Sequence, residues 1–172
     1  MREIVDSGRI ERFMRELGRR VHSSARVYFT GGTSAVLLGW RGSTIDVDVK
    51  LVPDSDELLR AFPELKKSLR LNVELASPDL FIPELPGWSE RSRFIQREGA
   101  IEFFHYDFYA EVLAKIERGH DLDVEDVREA INSGLVNREE LVRLFDAIEP
   151  ELHRYPAIEP VSFRANVLAA TR

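Results

Sequence analysis

A chain of 172 residues with 44% hydrophobic side chains can bury one proper core, so a single domain is the first expectation. Its net charge of −6 argues against an indiscriminate nucleic-acid coat protein while leaving room for a local basic groove. There is no cysteine, which excludes disulfide scaffolds and thiolate-held zinc. With no signal-like N-terminus and no apolar run near the roughly 20 residues of a membrane span, a soluble cytoplasmic protein is expected.

In chain order, Ile10, Phe13, Met14, Leu17 and Val21 recur at helical spacing, which predicts an amphipathic helix over residues 8–21 with Ser7 as cap. "ARVYFT" reads as a buried strand that stops at Gly31 and Gly32, and a short helix from Thr33 to about Leu38 should follow. "STIDVDVKLV" alternates: Ile45, Val47, Val49 and Leu51 share one side, and Asp46, Asp48 and Lys50 share the other. The next segment reads as a helix with Asp54 as cap and Glu57 reaching back in a capping box; Pro63 should kink or restart it.

"LRLNVELAS" is a further strand, "DLFIPELPGW" an irregular loop, and "RSRFIQREGAIEFFHY" two strands around a turn at Gly99. Three helices are then expected: one from Asp107 to Gly119, one from Val124 to Asn132 capped by Asp123, and one from Asn137, boxed with Glu140, to near Pro150. The closing "RYPAIEPVSFRANVLAATR" has no clear period, and either wraps the domain or frays. The order of elements indicates an α+β, or mixed α/β, class: an αβ core over 1–106, a helical part over 107–150 and a tail over 151–172.

The chemistry concentrates in residues 27–52. Gly31 and Gly32 let the backbone turn tightly beside a ligand, and amides at that point favour an anionic phosphate. Thr33 and Ser34 bring hydroxyls to the same place. Asp46 and Asp48, two apart on a strand, direct their carboxylates to one side at about 7 Å spacing, which suits magnesium. Taken singly, a glycine pair is ordinary turn chemistry and a lone D-x-D is ordinary strand surface.

Together, "GGTS" at 31–34 and "DVD" at 46–48 resemble the nucleotidyltransferase superfamily that includes DNA polymerase β. The resemblance implies a short mixed sheet flanked by helices, with the glycine element cradling a nucleoside triphosphate and the aspartates binding Mg2+ or Mn2+. "AKIERGHDLDVEDVREAI" is similar to a segment of the abortive-infection, toxin-type branch. That likeness implies that Lys115 contacts triphosphate, Arg118 supports it, and Asp123 serves as an acidic group near the nucleophile, with Asp126 behind it. It further implies an RNA acceptor, tRNA included, and an antitoxin partner in a toxin–antitoxin or phage-defence pair. From the residues alone, Lys115 is equally a solvated helix residue and Asp123 an N-cap.

Many superfamily members carry a third carboxylate on a neighbouring strand, and Glu74, which shares a strand face with Asn72, is the candidate metal ligand here. Lys50, on the aspartate side, either competes with a metal through Asp48 or faces a phosphate. Two other readings stay open: a non-catalytic nucleotide- or partner-binding module with the same fold, and a small-molecule transferase of the antibiotic-modifying kind. The four histidines, His105 among them, have no metal-ligand spacing and read as surface or packing residues. No Walker loop, dinucleotide fingerprint or serine elbow is present.

Overall fold

The computed structural model describes residues 3–172. They form two compact units: one runs to Ser77 and takes in Ser92–Tyr106, and the other comprises Pro78–Arg91 and Asp107–Arg172.

The first unit is built on a five-stranded mixed sheet of β1 (Ala25–Phe29), β2 (Asp46–Val52), β3 (Asn72–Leu75), β4 (Arg93–Glu98) and β5 (Ile101–His105), in the order β3-β2-β1-β5-β4. The β1–β2 and β4–β5 pairs are antiparallel, whereas β1–β5 and β2–β3 are parallel. The β1 ladder pairs Phe29 with Val49 on one side and with His105 on the other, so both neighbours reach the end of β1 where the glycines begin. Helices α1 (Ser7–Arg20) and α3 (Asp56–Leu69) contribute Ile10, Phe13, Leu17, Leu58 and Leu65 to one core with Val27, Phe29, Val47, Val49, Val73 and Phe103. The Phe13 ring lies 6.3 Å from each of Phe29 and Phe62, within the range where aromatic pairs add to plain burial.

Helix α1 rests directly on the β4–β5 turn. A Cβ on Gly18 would stand 2.5 Å from the Glu98 Cβ, and one on Gly99, whose φ is +59°, would stand 2.7 Å from the Gly18 carbonyl oxygen. Glycine is required at both positions by close approach, and at Gly99 also by backbone conformation.

Local signals are adjusted at several ends. Asp6, not Ser7, caps α1 by accepting from the Arg9 amide. Helix α2 spans Gly31–Leu37, so it begins two residues before the expected Thr33. Ile45 lies outside β2 and is 53% exposed, which leaves Val47, Val49 and Leu51 as the buried row. Ser55 caps α3, not Asp54; the Glu57 carboxylate instead accepts from the amides of His22 and Ser23, just past the end of α1. Pro63 does not restart α3, since one helix runs through to Leu69.

The second unit contains the short α4 (Trp88–Arg91), then α5 (Phe108–Arg118), α6 (Asp121–Asn132), α7 (Arg138–Ile148) and α8 (Pro160–Ala170). Asp107 caps α5 and also receives two bonds from the Arg91 guanidinium; burial pushes its carboxyl up, opposed by Arg91. The α6 N-cap is His120, so Asp123 is not the expected cap but sits within the first turn. Asn137 does cap α7, accepting from the Glu140 amide, while the Glu140 carboxylate turns to Arg143. The closing segment does not fray: it forms α8, capped by Glu159 with Pro160 at its start, and packs back on its unit, its Phe163 ring meeting Phe145 edge-on at 4.9 Å. No helix among the described residues is long and apolar enough to cross a membrane.

Candidate active site

The first unit gathers the glycine turn and the acidic strand at one end of the sheet. Gly31 has φ +57°, in the region that favours glycine, and a Cβ placed there would lie 2.9 Å from Asp48 Oδ2. The carboxylate of β2 therefore borders the turn itself. Asp46 and Asp48 alternate with the buried Val47 and Val49, so both face away from the core, half-buried.

One hydroxyl fixes this arrangement. Thr33 is fully buried; its Oγ1 accepts from the Asp48 amide at 3.0 Å and donates to the Asp46 carbonyl at 3.2 Å, tying α2 to the backbone of both aspartates. Ser34 is buried as well, with its Oγ 3.1 Å from the Phe29 carbonyl and 2.9 Å from His105 Nδ1. Sequence reasoning assigned both hydroxyls to a phosphate; in the structure they hold the glycine turn against β2 and β5.

His105 is thereby a half-buried packing histidine that forms part of the site's frame. Burial, with the nearby Arg93 charge, lowers its pKa to about 4 from 6.5, so it is neutral at pH 7. Between those values the unfolded chain binds a proton that the folded chain refuses, so stability is full above pH 6.5 and is lost as pH falls toward 4. The loss should reach roughly 2–3 kcal/mol by pH 4.5. Urea denaturation of wild type and His105→Gln at pH 7 and 4.5 checks it: the variant should lose less stability across that interval, and equal losses would refute the assignment.

Asn72, on the neighbouring β3, donates to Asp46 Oδ1 at 2.7 Å and to Glu74 Oε1 at 2.8 Å. Register places Asn72 beside Asp46 and Glu74 beside Asp48, which puts Glu74 on the aspartate face. Among the described residues no three His, Cys, Asp or Glu side chains form a group that could hold a metal ion. Magnesium is commonly held by only one or two carboxylates together with substrate phosphates, and the Asp46–Asp48 pair fits that donor set.

The other candidates lie in the second unit. Lys115 is buried and forms an ion pair with Asp126 across α5 and α6 at 2.5 Å. Arg118 donates through Nε and Nη2 to the two oxygens of Asp123, at 2.8 and 2.7 Å. Burial raises the Asp123 carboxyl, but the Arg118 hydrogen bonds and charge outweigh it and leave the group below its ordinary value. Such a carboxylate is a weaker base than an unpaired aspartate. Lys115 also lines a cavity of about 320 Å³ with Ile116, Gly119, Val124, Val127, Asn166 and Ala170.

A family described as a nucleotidyltransferase of unknown function (DUF6036) matches residues 9–165. The chain belongs to this nucleotidyltransferase family. The match extends through both units, so the helical part is as much a portion of the nucleotidyltransferase as the sheet. No curated protein and no solved structure matches the chain. Sequence reasoning on this nucleotidyltransferase overlooked two residues around the glycines: His105, whose place depends on a parallel strand partner, and Arg41, whose Nη1 lies 3.1 Å from where a Cβ on Gly32 would stand.

Proposed function

We propose that this nucleotidyltransferase moves a nucleotidyl group from a nucleoside triphosphate to a hydroxyl acceptor with the aid of magnesium. The observation that carries the reading is the abutment of Asp48 on Gly31: a phosphate lodged at the turn would lie beside the two carboxylates that suit a hard cation. A magnesium ion held there would supply positive charge against the phosphates as pyrophosphate leaves. Asp46 and Asp48 would hold that cation, Gly31 and Gly32 would give the phosphates room, and Thr33 keeps the turn and the strand in register. The acceptor oxygen bonds to the α-phosphorus as the bond to the pyrophosphate oxygen breaks, and the hydroxyl proton passes to a base.

RNA, tRNA included, is the acceptor the toxin-type resemblance implies, with an antitoxin as partner; the same resemblance implies triphosphate contact for Lys115 and Arg118 and base catalysis for Asp123. Their ion pairs have to open for those roles to operate. A second reading is favoured by Glu74, which lies on the aspartate face and is joined to Asp46 through Asn72. An acidic group there suits a small-molecule hydroxyl as acceptor.

Incubation with each α-labelled triphosphate, magnesium and separate pools of total RNA and of hydroxylated small molecules tests the proposal. Label should enter one pool and be abolished by EDTA. Absence of label from every pool, together with absence of triphosphate binding, would leave the non-catalytic module as a fold that serves something other than nucleotides.

A further inference from the structure

A triphosphate carries more negative charge than magnesium on two aspartates can offset, because the two carboxylates already match the charge of one divalent ion. A cation of the protein is needed at the turn. Lys115 and Arg118 are each committed to a buried aspartate within the second unit. Lys50 shares the aspartate side of β2 and lies level with Tyr28, one residue before the end of β1 that leads into the glycines.

Arg41 stands at the glycine turn itself. A Cβ on Gly32 would lie 3.1 Å from Arg41 Nη1 and 2.7 Å from Thr44 Oγ1. Adjacent glycines of one turn are thus bordered by opposite charges, Asp48 at Gly31 and Arg41 at Gly32. The loop that carries the arginine is tied at both ends: the Trp40 and Arg41 amides donate to the Ala35 carbonyl at 2.9 and 3.3 Å, and Val5 and Thr44 exchange two backbone bonds of 2.7 and 2.9 Å. The guanidinium is delivered by an ordered backbone, and its planar fork matches two phosphate oxygens at once.

We infer that Arg41 binds the phosphates of the nucleotide at the Gly31–Gly32 turn, an assignment that rests on the nucleotidyltransferase reading above. Gly32 is then glycine because the guanidinium and the Thr44 hydroxyl occupy the space a side chain would fill. The bond is made by the arginine as a point of charge and geometry, so lysine replaces it only in part.

Calorimetric titration of wild type, Arg41→Gln and Arg41→Lys with inorganic triphosphate and with ATP, GTP, CTP and UTP, all in magnesium, tests the assignment. Arg41→Gln should bind the best triphosphate about 10- to 100-fold more weakly, with Arg41→Lys between the two. Binding by wild type with Arg41→Gln within twofold would overturn the role of Arg41 and leave the nucleotidyltransferase reading standing. No binding by wild type to any of the five would overturn both. Phenylglyoxal modification of the wild type decides the matter if Arg41→Gln does not fold: saturating inorganic triphosphate with magnesium should protect Arg41, and equal modification with and without it would overturn the assignment.

Discussion

Asp48→Asn should lower nucleotidyl transfer by about a thousandfold or more while leaving the fold in place. The substitution is nearly isosteric, and the backbone bonds at this position, from the Thr30 amide to the Asp48 carbonyl and from the Asp48 amide to Thr33, do not involve the side chain. What changes is a formal charge at the edge of the glycine turn. Loss of metal-assisted charge stabilisation is a matter of several kcal/mol, and each 1.4 kcal/mol is about tenfold in rate. Asp46→Asn should behave alike, because its Oδ1 can still accept from Asn72. Label transfer and thermal melting, measured on the same preparations, check this. Transfer within tenfold of wild type, from a variant that melts normally, would remove Asp48 from the site.

Lys115→Met is expected to destabilise the protein by about 3–5 kcal/mol, because it removes the ammonium that offsets the Asp126 charge at a buried position. Lys115→Met combined with Asp126→Leu should recover most of that loss, since buried ion pairs are often replaceable by apolar side chains of similar volume. Urea denaturation of the two variants supplies the numbers, and a single variant costing under about 1 kcal/mol would contradict the buried-pair account. The double variant has a second use. A plain Lys115→Ala that abolishes activity is uninformative if the helices have come apart, whereas a stable double variant with weakened triphosphate binding isolates a contact between Lys115 and the nucleotide.

The acidic strand was legible because strand alternation is strict: once Val47 and Val49 are buried, Asp46 and Asp48 have to face the other way. The glycine turn was legible for a similar reason, as few residues enter φ +57° without strain. The hydroxyls were not. Thr33 and Ser34 beside a glycine pair look like phosphate ligands, and only the strands packed around α2 decide that both point inward. Glu57 was misplaced because a capping-box spacing describes its own helix and is silent about the two free amides beyond another. Helix α8 escaped notice because only Phe163 and Val167 are buried along it, which leaves no clear period, although Pro160 occupies the position where proline starts a helix. His105 and Arg41 share a cause: each reaches the turn through tertiary contacts that no local pattern encodes.

The Ser34–His105 bond spans 71 residues of chain. During synthesis, β1, the turn and β2 are available to pair long before β5 exists, and the parallel β1–β5 ladder closes only after the intervening segment has emerged. A nascent chain would therefore hold its two aspartates near the glycines while Ser34 still lacks its imidazole partner. The His105 contact to the turn is thus made late, by the last strand of the sheet to be synthesised.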